Sequence, residues 1–152
     1  MNLTQKETNL LTDLRSQEQL CIEKYSKYAT MASDPALKAI FSELGRAEQS
    51  HLTTINEILS GKEVSSSLTS PSATQAKKSP SPSPCNATER NEDAYLCRDA
   101  LSMEKHVSAV YDTSVFEFSS PVLRDTLAHI QKEEQNHGET LYDYMQTNGM
   151  YS

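Results

Sequence analysis

The feature that most constrains this chain is an internal repeat, ungapped, at an offset of 86 residues. Glu18 is matched by Glu104, Tyr25 by Tyr111, Glu48 by Glu134 and His51 by His137. Each half therefore carries a Glu, a Tyr seven residues on, and a Glu-x-x-His that starts thirty residues after the first Glu. Identities such as Leu10/Leu96, Asp13/Asp99, Pro35/Pro121 and Leu37/Leu123 extend the repeat beyond this polar set. A unit of this length is an αα-hairpin, and duplicated ligands imply a site between the two copies.

Four helical segments follow from the pattern. Helix A is expected over about 4–32. Asp34-Pro35 then supplies a cap and a proline at the first helical position, which starts helix B. Helix B runs to about Ser60, where Gly61 stops it. Helix C is expected over about 91–118, and Ser120-Pro121 repeats the restart for helix D, to about 146 or 147. Each helix is roughly 26 residues, or about 40 Å at 1.5 Å per residue. Residues 62–90 are rich in Ser, Thr and Pro and include Ser79-Pro80-Ser81-Pro82-Ser83-Pro84. Such a segment reads as a mobile, extended linker. Tight turns make A–B and C–D antiparallel pairs, and a long link lets C start at either end of the bundle. The expected fold is all-α: one domain over 1–152, with hairpins at 4–60 and 91–147 joined by a long crossover.

The apolar stripe of helix B (Leu37, Ile40, Phe41, Leu44, Ile55, Ile58) has 3.6-residue spacing, and Glu48 and His51 sit in its gap. Helix D repeats this around Glu134 and His137, and Glu18 and Glu104 interrupt the stripes of helices A and C. Four carboxylates in a core cannot stay ionised and unpaired, because each buried ion costs at least several kcal/mol. Two divalent cations would supply +4 against −4. One carboxylate from each of two helices plus Glu-x-x-His from the other two is the ligand set of dimetal carboxylate bundles. Spacing i, i+3 puts Glu and His on one helix face. Imidazole with carboxylate favours iron, manganese or zinc over calcium or magnesium. Iron stands ahead of manganese as the expected pair of divalent metal ions.

These residues resemble the ferritin-like superfamily, and the Glu-to-Tyr spacing of seven is similar to that of rubrerythrin-type bundles. The resemblance implies that Glu18 and Glu104 bridge or terminate the metals, and that Tyr25 and Tyr111 bond to ligand carboxylates. It implies a ferritin-like four-helix bundle. More closely, Ser16-Gln-Glu-Gln-Leu-Cys-Ile-Glu-Lys-Tyr25, His129-Ile-Gln-Lys-Glu-Glu-Gln-Asn-His137-Gly and Asn148-Gly-Met-Tyr151 resemble the coat F-type spore coat proteins. That resemblance covers both hairpins and implies localisation in the spore coat, with other coat proteins as partners and a homodimer as an option. Two departures stand out: the extra glutamate ligand of rubrerythrins has no counterpart, and no C-x-x-C provides their cysteine-ligated iron. Turnover would need a separate reductant.

Bulk properties exclude other classes. A net charge of −7 argues against nucleic acid and anionic membrane surfaces. No apolar run approaches the roughly 18 residues of a membrane span. Residues 1–15 show no apolar signal core, so a chain kept inside the cell is expected. Cys21, Cys85 and Cys97 make no disulfide framework. Asn86-Ala-Thr is read as a chance glycosylation match. Glu133 maps onto Ala47 and is expected to be solvated; His106 and His129 are expected at the surface. Cys21 is expected buried and Cys85 exposed, while Tyr142, Tyr144 and Tyr151 read as crosslinking targets or helix-end packing. Three functions remain: a coat-associated bundle with a retained dimetal site, an oxidoreductase acting on peroxide, ferrous iron or dioxygen, and a purely structural bundle.

Overall fold

A computed structural model describes residues 2–64 and 79–151. Every regular element among them is a helix: α1 (Gln5–Met31), α2 (Pro35–Leu59), α3 (Ala87–Val115) and α4 (Pro121–Thr147). None is long and apolar enough to cross a membrane. Each start is capped. Thr4 and Glu7 form a capping box before α1, and Asp34 and Ser120 cap the proline-led starts of α2 and α4. Gly61 (φ 82°) and Gly149 (φ 64°) turn the chain out of α2 and α4 in the left-handed region that glycine tolerates.

One helix start differs from expectation. Helix α3 begins at Ala87, four residues before Asn91, because Asn86 caps it and Glu89 completes a second capping box. Asn86 therefore has a local structural job: its side-chain oxygen accepts from Glu89 N at 2.9 Å. Residues 65–78 of the expected linker lie outside the described residues. At its described end Ser83 N donates to Asn148 Oδ1 at 2.7 Å, and Cys85 is half-buried rather than exposed.

Helix α1 packs on α2 and α3 on α4, with further contacts between α1 and α3 and between α2 and α4. Lys6 at the start of α1 meets Glu117 just beyond α3, and Asp93 near the start of α3 meets the α1–α2 turn. Helices α1 and α3 therefore run antiparallel, and Leu59 and Ala87 lie at opposite ends of the bundle.

The hairpins also hold each other's turns. Asp93, fully buried, accepts from Ser33 N (2.8 Å) and Asp34 N (3.0 Å). Its repeat counterpart Glu7 accepts from Ser119 N at 3.0 Å and Ser119 Oγ at 3.1 Å. Turn amides that no helix could satisfy thus find carboxylates on the opposite hairpin. The apolar core (Leu11, Leu14, Phe41, Ile55, Leu127, Leu141) fills both ends and leaves a polar layer in the middle.

Candidate metal centre

All six expected ligands are in that middle layer. Glu18, Glu48, His51, Glu104, Glu134 and His137 are each at most 8% exposed, although the stripe that buries them is otherwise apolar. Their atoms form two four-residue groups, Glu18–Glu48–His51–Glu134 and Glu48–Glu104–Glu134–His137. Within each group the potential ligand atoms all lie within 4.8 Å of one another. Glu48 and Glu134, one from each Glu-x-x-His, belong to both groups; Glu18 and Glu104 belong to one each. Of the two roles the resemblance implies for Glu18 and Glu104, bridging or terminal, this grouping matches the terminal one. The cause is tertiary: α2 packs against α4, so Glu48 and Glu134 come together between the two groups.

The imidazoles point their Nδ1 atoms inward. His51 Nδ1 lies 3.0 Å from Glu48 Oε2 and 3.1 Å from Glu134 Oε1, and His137 Nδ1 lies 3.1 Å from Glu48 Oε1. The two rings stack with centroids 5.8 Å apart. Tyr111 donates to Glu18 at 2.5 Å, and Tyr25 donates to Glu104. Each tyrosine thus holds a carboxylate of the other hairpin, which couples the two copies through the site.

Glu133, expected to be solvated, is a corrected position. Its Oε2 lies 2.5 Å from His51 Nε2, and its Oε1 lies 3.3 Å from His129 Nε2 one turn earlier. His129 is accordingly partly covered, while His106 is exposed as expected. No sequence signal marks Glu133, since the repeat has Ala47 at the matching position; only its adjacency to Glu134 and the i, i+4 His129 hint at a role. Cys21 is buried, and burial pushes its thiol pKa well up, consistent with an inert apolar role. Of the C-terminal tyrosines, Tyr144 is buried and donates to Asp34 at 2.6 Å, while Tyr142 and Tyr151 are exposed and meet edge to face at 5.0 Å.

Without a cation, the cluster balances its charge with protons. Burial pushes Glu18 up to about 9 and Glu104 up to about 10, so both hold a proton at neutral pH. Burial also acts against ionised Glu48, but hydrogen bonds from His137 and His51 outweigh it and hold Glu48 low. Glu134 is likewise held low. Burial disfavours both imidazolium ions, yet the surrounding carboxylates outweigh it and raise His51 and His137 well above the usual range. Even so, Glu18 Oε2, Glu104 Oε2 and Glu134 Oε2 are buried with no hydrogen-bond partner. A buried acceptor left unmade costs about 1–3 kcal/mol. The donor set therefore fits hard-to-borderline divalent cations, which would use those free lone pairs.

A cavity of about 430 Å³ between α3 and α4 reaches this layer and has Glu104 and Glu134 among its lining residues.

Residues 92–152, from inside α3 through the C-terminal tail, match the family model of the Coat F domain. The match takes in Glu104, Tyr111, Glu134 and His137, and leaves out the first hairpin. No curated protein and no solved structure matches the chain. The second hairpin is thus similar to the Coat F domain, and this similarity assigns the chain to the spore coat.

Proposed function

We propose that this chain is a spore-coat protein that associates with other coat proteins and whose ferritin-like bundle binds two divalent cations, iron ahead of manganese. The observation that carries this reading is the pair of four-residue groups sharing Glu48 and Glu134, with three buried carboxylate oxygens still lacking partners. Glu18 and His51 complete one position, and Glu104 and His137 the other. Bound redox-active cations would supply electrons to a small oxidant such as dioxygen or peroxide. The chain's own residues do the rest. Tyr111 and Tyr25 orient Glu18 and Glu104, Glu133 fixes the ring of His51, and the apolar residues above and below exclude water.

A second reading, an oxidoreductase, is favoured by the cavity that brings outside molecules to Glu104 and Glu134. One experiment separates the readings. Purified full-length chain is analysed for metal, loaded anaerobically with ferrous iron, and exposed to oxygen or peroxide. Two metals per chain with fast oxidation supports turnover. Two metals without it supports a coat protein with a resident dimetal centre, and no uptake leaves only the structural bundle.

A further inference from the structure

The two halves of the candidate centre are related by the repeat, yet three positions around them break the relation, all in one direction. The first is Glu133, which holds His51 Nε2 at 2.5 Å and is itself held by His129. The counterpart residue on α2, facing the His137 side, is Ala47, so no carboxylate is supplied from that position. The recorded carboxylate partners of His137 all meet its Nδ1. The second and third are wall residues of the α3–α4 cavity. Gly138 stands where α2 has Leu52, and Ser108 where α1 has Ile22. A Cβ at Gly138 would already lie 3.6 Å from Leu101 Cδ1, so a larger side chain would fill the gap. The cavity runs from a rim with Lys105 and the Tyr142–Tyr151 ring pair down to Glu104 and Glu134. The ligands follow the same gradient: His51 is 2% exposed and His137 8%.

We propose that the centre is two-faced: the Glu18–His51 position is the closed, tighter cation position, and the Glu104–His137 position is the one a small exogenous ligand reaches through the cavity over Gly138. This rests on the dimetal reading above. A ligating histidine whose outer nitrogen is held by a carboxylate is oriented and made more basic, and losing such a partner typically costs about 10–100-fold in metal affinity. The first position has that partner, and among the described residues the carboxylates paired with His137 all meet its Nδ1 instead. The ligand class is a small molecule or anion with one oxygen or nitrogen donor, of peroxide or azide size. It would meet an ion rather than an inert wall only at the floor of the cavity, whose walls carry both Lys105 and Glu139.

The test uses the full chain, cobalt(II) as the metal and azide as the ligand. Calorimetric titration with cobalt is expected to give two steps separated by about 10–100-fold in affinity. Azide is expected to change the visible spectrum only after the second equivalent has bound. Glu133→Gln should weaken the tighter step by tenfold or more, and Ala47→Glu should strengthen the weaker one. Gly138→Leu should slow the azide-dependent change at least tenfold while leaving cobalt stoichiometry intact. Ser108→Ile is the second variant, and a melting curve on each confirms folding. Two equal steps, or an azide response already complete at one equivalent, would overturn the two-faced centre while leaving the dimetal reading standing. Unchanged azide kinetics in both folded cavity variants would overturn the access path. Failure to take up cobalt at all would overturn the dimetal reading itself, and the inference with it.

Discussion

Where α1 crosses α2, the chain has Gly45, and a Cβ there would sit 3.3 Å from the Cβ of Tyr25. At the matching place in α4 the residue is Gln131, whose side chain reaches Ser108 O at 3.4 Å. Seven residues further along, the order of bulk is inverted: Leu52 in α2, Gly138 in α4. The first hairpin is thus tightly closed at its crossing and carries the bulkier residue beside the site, while the second has a cavity beside the same layer. The two copies share their buried Glu and His positions and differ in the volume around them. What the pair teaches is that ligand identity and access are separable properties of a bundle: the first is set by the inward face, the second by residues one helical turn away.

The sharpest break in the symmetry concerns the shared carboxylates. Replacing both Glu48 and Glu134 with Gln is expected to abolish binding of both cations, whereas Glu18→Gln or Glu104→Gln should compromise one position each. Metals per chain by elemental analysis decides it, and equal losses for all four single variants would mean no sharing. For the wild type, free metal at 100 times Kd should add about 2.7 kcal/mol of stability that a chelator removes. That affinity should also rise with pH. Burial keeps protons on Glu18 and Glu104 up to about 9 and 10 in the cation-free form, so binding at neutral pH must displace them and becomes easier as pH rises.

Next in size is the exchange of turn clamps. Asp93→Ala leaves the buried amides of Ser33 and Asp34 without their acceptor and should cost about 2–4 kcal/mol, measured by denaturant unfolding. Glu7→Ala is expected to cost less, because Ser119 and Thr4 are closer to solvent.

Smaller again is the glycine pair. Gly138→Ala should stabilise the chain by about 0.5–1 kcal/mol, the helix-propensity gain over glycine, since its Cβ meets only an ordinary contact. Gly45→Ala should lose that gain and destabilise, because α1 must move away from α2 to admit the methyl. Opposite signs in paired melting curves support the contrast, and the same sign at both sites would refute it.

The smallest effect is in acid. Backbone amides of Thr4 and Ser119 hold Glu7 below its usual 4.5. A group with a depressed folded-state pKa contributes stability above its unfolded value and loses it as pH falls through the folded one. Glu7→Gln should therefore flatten the stability profile below about pH 4.5 and leave its neutral-pH shape unaltered.

Much of this was legible in the amino-acid order. The helix breaks at Asp34-Pro35 and Ser120-Pro121 and the buried Glu and His positions follow from periodicity and caps, because those are local matters. The cap at Asn86 is carried by a four-residue signature, Asn-x-x-Glu, that the flanking Ser/Pro-rich composition obscures. Glu133 leaves no trace in the repeat, which has Ala47 at the matching position, so its role is not legible from the sequence. The clamp at Asp93 could have been suspected from Glu7, an acid at the same repeat position, but nothing local says which amide an acid will reach.

The order of residues by itself determined that four amphipathic helices form, that each hairpin turns on a capped proline, and that four carboxylates and two imidazoles are carried into the interior. Those outcomes depend on periodicity and on chain-local hydrogen bonds, which act within a few residues. Only the tertiary structure decided that Glu48 and Glu134 belong to both groups, that Glu133 serves a histidine 82 residues away, and that a cavity reaches one side of the polar layer. Those depend on which helix faces which and how closely, a balance of side-chain volumes across the interfaces that no single stretch of chain contains.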